Sequence, residues 1–252
     1  MKAQRVLGVF AHPDDESVLA GGVLAGAAAG GADVTVVCAT RGESGPIAGG
    51  IDATPETLGE VREAELRAAC AELGVGTVEC LGLPDGSLED VAERLGFEVA
   101  RLLATLRPDE VVTFGPEGLY WHQDHVAVHD AVATALEGAS CRPRIHQLVW
   151  PHGWMSDLVA AMRGRGLAPN LWGLDPESWG SGSDANTVAL DVRAHLDAKL
   201  HAIGCHASQL PSDHLFRIVP RDLAETYLGR EHVLASADGL LTGGVRAIGG
   251  RR

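Results

Sequence analysis

Arg5-Val-Leu-Gly-Val-Phe-Ala-His-Pro-Asp-Asp-Glu16 passes from one kind of structure to another within a few residues. Its first half, Arg5 to Phe10, is a short apolar run behind a charged head, the right length for a strand buried in a parallel sheet. Pro13 has no N–H to give to a ladder, so the strand stops at His12. Pro and three acids then open a long Ala/Gly/Leu/Val stretch. Acids there favour a helix start, because the exposed N–H groups attract negative charge. The turn therefore sits at the carboxyl end of a first strand, where open α/β sheets hold their sites. Val18 to Ala32 is uncharged with five glycines. It is too short to span a bilayer and reads as a helix packed closely on the sheet.

The same alternation continues outward. Strands are expected at Val6–Phe10, Val34–Ala39, Thr77–Leu81, Glu110–Phe114 and Ile145–Trp150, with a late one at Thr187–Leu190. Helical patterns fall between them at Ser17–Ala29, Pro55–Leu73, Leu88–Leu106 and Val126–Leu136. This order predicts an α/β fold: a Rossmann-like, mostly parallel twisted sheet with helices on both faces. No linker separates two domains, and 252 residues suit one large α/β unit. The expected division is a single domain over 1–252, with a core at about 4–210 and a C-terminal extension at 211–252.

Composition narrows the partners. Twenty Lys and Arg against 34 Asp and Glu leave a formal charge of −14. A nucleic-acid partner would need a basic face to displace counterions, and no Lys/Arg cluster is present. Attraction to anionic membranes is disfavoured for the same reason. Five cysteines, an odd number without Cys-x-x-Cys spacing, suit a reducing, cytoplasmic setting better than a disulfide framework. No secretory leader is visible at the start of the sequence. Nothing in the sequence specifies the oligomeric state, so homo-oligomerisation stays open.

Chemistry concentrates at two turns. His12 and Asp15, three apart across the first turn, can point at one centre, while Asp14 faces elsewhere. About a hundred residues later His122-Gln-Asp-His125 follows the expected strand Glu110–Phe114 and opens the next helix. Adjacent strand ends can bring both clusters together around a Lewis-acidic ion such as zinc, with one carboxylate spare as a base. Ligand softness also admits iron(II). The acids of the first turn, taken singly, serve equally well as helix caps. A dinucleotide site would need Gly-x-Gly-x-x-Gly where this chain has carboxylates that repel a pyrophosphate. Gly42-Glu-Ser-Gly45 is not a nucleophile elbow. His125 and His129 are four apart, but Val126 holds the position a zinc protease gives to Glu. A two-metal phosphoesterase would need further acidic ligands, for which Asp85 is the one obvious spare. A non-catalytic sugar-binding paralogue would be expected to lack the base or a ligand.

At these residues the sequence resembles the LmbE/PIG-L family of zinc-dependent N-acetylglucosaminide deacetylases, which includes the mycothiol and bacillithiol deacetylases. The Ala11-His-Pro-Asp-Asp-Glu16 run and His122-x-Asp-His125 carry the resemblance. Weaker matches follow in order: Thr40-Arg-Gly-Glu43, Arg62-Glu-Ala-Glu65, Leu81-Gly-Leu-Pro-Asp85, Lys199 and His206-Ala-Ser-Gln209. The resemblance implies a hydrolase that removes acetyl from an N-acetylated amino sugar through a zinc-activated water. It implies His12, Asp15 and His125 as metal ligands and Asp14 as general base. His122 would assist at the leaving amine or oxyanion, Asp124 would orient His122, and Tyr120 would lie near the tetrahedral intermediate. Arg41, Glu43, Arg62 and Asp85 are implied as substrate contacts, with His206 in the pocket or behind it. Pairing of Arg62 with Glu63 or Glu65 is an equal alternative. Trp121 stands where a smaller residue is usual and Gln123 where Pro is frequent, so Trp121 is expected to shape the pocket.

Two stretches break the rhythm. Gly42–Thr54 reads as a loop able to move over the site. Arg163–Ala185 carries Trp172 and Trp179, whose indoles can stack on a sugar or anchor the loop.

Overall fold

The computed structural model describes residues 3–180, 187–235 and 246–248. An eight-stranded sheet has the order β3-β2-β1-β4-β5-β7-β6-β8. Its first five strands are β1 (Arg5–Phe10), β2 (Asp33–Thr40), β3 (Thr77–Leu83), β4 (Glu110–Phe114) and β5 (Arg144–Leu148). All four pairings among them are parallel. The intervening helices are α1 (Asp15–Ala29), α2 (Leu58–Glu72), α3 (Ala92–Leu106), the single turn α4 (Gly118–Trp121) and α5 (Gln123–Gly138). The sheet grows from β1 to β2 and β3 on one side, then resumes on the other side at β4. Right-handed crossovers in opposite directions put α1 and α2 on one face and α3 and α5 on the other. Val6, Leu7, Val9, Phe10 and Val34, Val36, Val37, Cys38 are all buried, as strands covered on both faces require.

The sequence reading finds these elements with ends shifted by a few residues. Pro55 precedes α2, and β5 stops at Leu148, so Trp150 lies in a loop. The late strand, β6 (Thr187–Asp191), pairs antiparallel. The longer helices after β5 among the described residues are α6 (Trp154–Arg163) and α7 (Leu196–Cys205), and α7 packs on α1 and α2.

The segment expected as an extension beyond residue 210 contains β7 (Arg230–Leu234), which enters the sheet between β5 and β6; β8 (Arg246–Ile248) pairs with β6. Glu231 on β7 is buried and accepts from the N–H groups of Gly22 and Val23 in α1, and from Lys199 Nζ of α7 at 2.6 Å. One carboxylate therefore ties the last part of the chain to two helices. The approach is close: a Cβ at Gly22 would lie 2.4 Å from Val192 Cβ, so only glycine fits.

Candidate metal centre

The change of growth direction opens a crevice between the carboxyl ends of β1 and β4. His12 follows β1 and His125 follows β4, so the two expected clusters meet there. His125 Nε2 lies 3.3 Å from His12 Nδ1. Asp15 faces both rings, with Oδ2 3.6 Å from His12 Nδ1 and Oδ1 3.4 Å from His125 Nε2. Tetrahedral bonds of about 2.0–2.1 Å place ligand atoms roughly 3.3–3.4 Å apart, so these donors stand at zinc-ligand spacing. All three side chains are buried.

Each imidazole is held by its other nitrogen. Two carboxylates face His12 Nε2, Asp85 Oδ1 at 3.1 Å and Asp124 Oδ2 at 3.2 Å, so the proton belongs there and Nδ1 keeps its lone pair. His125 Nδ1 donates to Gly118 O at 3.2 Å, which turns Nε2 to the centre. Phe114 stacks on the His125 ring at 4.1 Å. Carbonyl and carboxylate partners of this kind are what metal-bound histidines carry. Gly118 makes the geometry possible, with φ +52° and no room for a Cβ, which would fall 2.9 Å from His125 Cβ. His122 brings a third ring, whose nitrogen comes within 4.8 Å of those of His12 and His125. Its Nδ1 accepts from Asp124 N at the start of α5.

The carboxylates around these rings favour positive charge at the centre. Burial opposes charging His12, yet Asp124, Asp15 and Asp85 outweigh it and hold its pKa well above the ordinary value. Burial pushes the Asp15 carboxyl up, but His125 and His12 pull it well below the usual range. For His122, burial and the neighbouring His125 and His12 lower the pKa to about 4, so it is neutral at pH 7. Asp14 differs. Burial raises its pKa to about 6 against the pull of Arg62, which poises it as a base near neutrality. Asp14 also has φ +124°, a strained backbone for a residue with a side chain. Arg62 donates to Asp14 Oδ2 at 3.0 Å and to the carbonyls of Pro13 and Gly42. Glu16 accepts from Asp14 N and pairs with buried His206 at 2.8 Å.

Several expected roles need correction. Asp124 orients His12 rather than His122, because its carboxylate is spent on His12, Gly86 N and Leu88 N. Arg62 bonds Asp14, not Glu63 or Glu65; Glu65 instead accepts from Ser208. Trp121 is 65 % exposed at φ +63°, and its side chain is outside the cavity lining. Arg41 pairs with Glu63 near the surface, and Glu43 accepts from the N–H groups of Arg41 and Asp85; neither lines the cavity. His206 sits behind the site against Glu16 and Ser17. His129 bonds Phe114 O at 2.9 Å. The Gly42–Thr54 loop is pinned at Ser44 by Asp85, at Pro46 by Gln209 and at Ala48 by Ser208. The Trp-bearing stretch ends partly outside the described residues, at 181–186.

The cavity beside the centre measures about 460 Å³, the size of a small-ligand site. Arg62, Asp85, Tyr120 and His122 line it together with His12, Asp15 and His125. The expected Trp172 and Trp179 line it, joined by Trp150, which the sequence did not single out: Tyr120 stacks on Trp179 at 4.8 Å, and Trp179 on Trp150 at 5.0 Å. Buried Glu16 was missed as well, since an acid in the first turn of a helix reads as a cap.

Residues 7–136 match the family model described as PIG-L, GlcNAc-PI de-N-acetylase. The chain belongs to the PIG-L family. Among its relatives is the 1D-myo-inositol 2-acetamido-2-deoxy-alpha-D-glucopyranoside deacetylase of Rhodococcus jostii, 33% identical over 92% of this chain and 91% of that protein. The conserved protein TT1542 from Thermus thermophilus has a similar structure, with a TM-score of 0.62 and 26% identity over 94% of this chain and 96% of its own. N,N'-diacetylchitobiose deacetylase from Pyrococcus horikoshii shares the fold at a TM-score of 0.62 and 21% identity, over 98% of this chain and 84% of its own.

Proposed function

We propose that this PIG-L family member is a zinc-dependent hydrolase that removes the acetyl group from an N-acetylglucosamine-type amide. The observation that carries the reading is the convergence of His12 Nδ1, His125 Nε2 and the two Asp15 carboxylate oxygens at 3.3–3.6 Å, with Asp14 beside it and bound to Arg62 instead. Deacetylase relatives at a third identity over nine-tenths of the chain support it.

His12, Asp15 and His125 would hold the ion, and iron(II) suits the same donors. Zinc, when bound by such donors, acidifies water and polarises a carbonyl. Asp14 takes the proton of the attacking water; a base so placed contributes about 10²–10⁴-fold. Arg62 keeps Asp14 ionised and fixed in direction. Neutral His122 and the Tyr120 hydroxyl supply donors at the oxyanion or the leaving nitrogen. The proton gained by Asp14 or one passed through His122 leaves with the amine, and acetate is the other product. Asp124 and Asp85 hold His12 by its far nitrogen, and their remaining contacts go to backbone N–H groups. That arrangement favours one metal over a two-metal phosphoesterase centre.

No helix among the described residues is long and apolar enough to cross a membrane, and all five cysteines are free thiols. We place the protein in a reducing compartment, the cytoplasm, acting on a small amino sugar. The test is to incubate zinc-loaded protein with a panel of N-acetylglucosaminides and assay primary amine and acetate. Stoichiometric release of both is expected; a metal-loaded protein inert toward every member would reject the reading.

A further inference from the structure

The peptide between Pro13 and Asp14 is held at both of its polar ends. Its carbonyl accepts from Arg62 Nη2 at 2.6 Å, and its N–H donates to Glu16 Oε2 at 3.0 Å. Asp14 itself stands at φ +124°, ψ −28°, outside the regions that a residue with a side chain prefers. Such a conformation persists only where the surroundings over-determine it. The Asp14 carbonyl accepts from Ser17 N and Val18 N, but those are bonds any helix start makes. Asp14 is the N-cap of α1, yet its carboxylate makes no bond to the helix N–H groups. In the reciprocal cap common at helix starts, the cap side chain bonds inward and an acid of the first turn bonds back to the cap N–H. Here only the return half is made, with Glu16 as acceptor. The Asp14 carboxylate turns instead to Arg62 and the cavity.

Glu16 is fully buried, and a carboxylate there is costly unless it is bonded. Its Oε1 accepts from Ser17 Oγ and lies 2.8 Å from Nε2 of His206, 190 residues away at the end of α7. His206 and Ser17 are buried too. Contacts therefore run unbroken from the end of α7 through Glu16 to the backbone of Asp14. Neither Glu16 nor His206 lines the cavity, so neither meets a substrate there. Adjacent residues at this turn must also face different ways, Asp15 toward His12 and His125 and Asp14 toward Arg62. We infer that Glu16 and His206 are positioning residues for the base: they fix the Pro13–Asp14 peptide, and with it the direction of the Asp14 carboxylate. The inference rests on the reading of Asp14 as general base given above.

The test uses zinc-loaded protein, with turnover of an N-acetylglucosaminide read as amine release and zinc content measured beside it. Glu16→Ala and His206→Ala should keep the zinc of the unaltered chain. Their kcat should fall about 10²-fold, the cost of a misdirected reacting group, with KM within about twofold. Glu16→Gln keeps an oxygen to accept from Asp14 N, and His206→Gln keeps an amide to donate to Glu16; both should recover most of kcat. Because Glu16 acts through Asp14, adding Glu16→Ala to Asp14→Asn should cost almost nothing further. A readout apart from turnover is exchange of the Asp14 amide hydrogen, which should quicken about tenfold or more in Glu16→Ala and little in Glu16→Gln. Unchanged kcat in both alanine variants, lost zinc, a rise in KM instead, or an equal loss on the Asp14→Asn background overturns the inference while leaving deacetylation standing. So does unchanged exchange at Asp14. If Glu16→Ala does not fold, His206→Ala carries the same comparisons from another helix. An unaltered protein that releases no amine strikes at the deacetylase reading, and the amide exchange then decides the role of Glu16 by itself.

Discussion

The two halves of the site are built on different logic. The turns after β1 and β4 are polar, strained and bonded at nearly every atom, and they lie in the parallel half of the sheet. The loops after β5 and before β6 bring stacked indoles and few polar groups. The first half holds charges in fixed directions, which a low-dielectric crevice makes strong. The second offers area and shape. Chemistry in such a molecule can stay constant while the aromatic half varies, because the two depend on separate segments of chain.

The contrast breaks most visibly at the ligands. His12→Ala, His125→Ala and Asp15→Ala should each lose bound zinc and nearly all turnover, whereas His122→Ala should keep its metal. Metal analysis after dialysis checks this, and zinc-free His122→Ala with zinc-replete Asp15→Ala would reverse the roles. Next, Asp14→Asn should retain the ion and lose about 10²–10⁴ in kcat; an unchanged kcat would remove Asp14 as base. Away from the site, Glu231→Ala strands buried Lys199 and two helix N–H groups. Denaturant unfolding should show a loss of about 3–5 kcal/mol. A smaller effect belongs to Asp124→Asn, which weakens the support of His12; metal affinity or activity should fall about 10–100-fold. Finally, Trp121→Gly should leave kcat/KM within about twofold and stabilise slightly, since glycine tolerates φ +63°. A changed substrate profile would put Trp121 back in the pocket.

Much of the parallel half is readable because its signals are local. Arg5–Phe10 must be buried on both faces, Pro13 must end the strand, and the acids must follow. The family motifs then single out the residues proposed as ligands. What escaped depends on contacts distant in sequence. Asp124 sits two residues from His122, yet α5 turns its carboxylate to His12, 112 residues away. Trp121 adjoins the same histidine, yet a left-handed backbone throws it into solvent. β7 carries an ordinary Arg-Glu-His-Val-Leu run, and nothing in it announces a place between β5 and β6.

Residue order alone determined the strand–turn–helix units and the donor types carried by the two turns, because propensity and motif chemistry act over a few neighbours. Only the folded sheet decided that the ends of β1 and β4 lie side by side, which carboxylate supports which imidazole, and that four aromatic rings from separated segments form one wall. Those outcomes come from strand order and close packing, and both are properties of the whole chain.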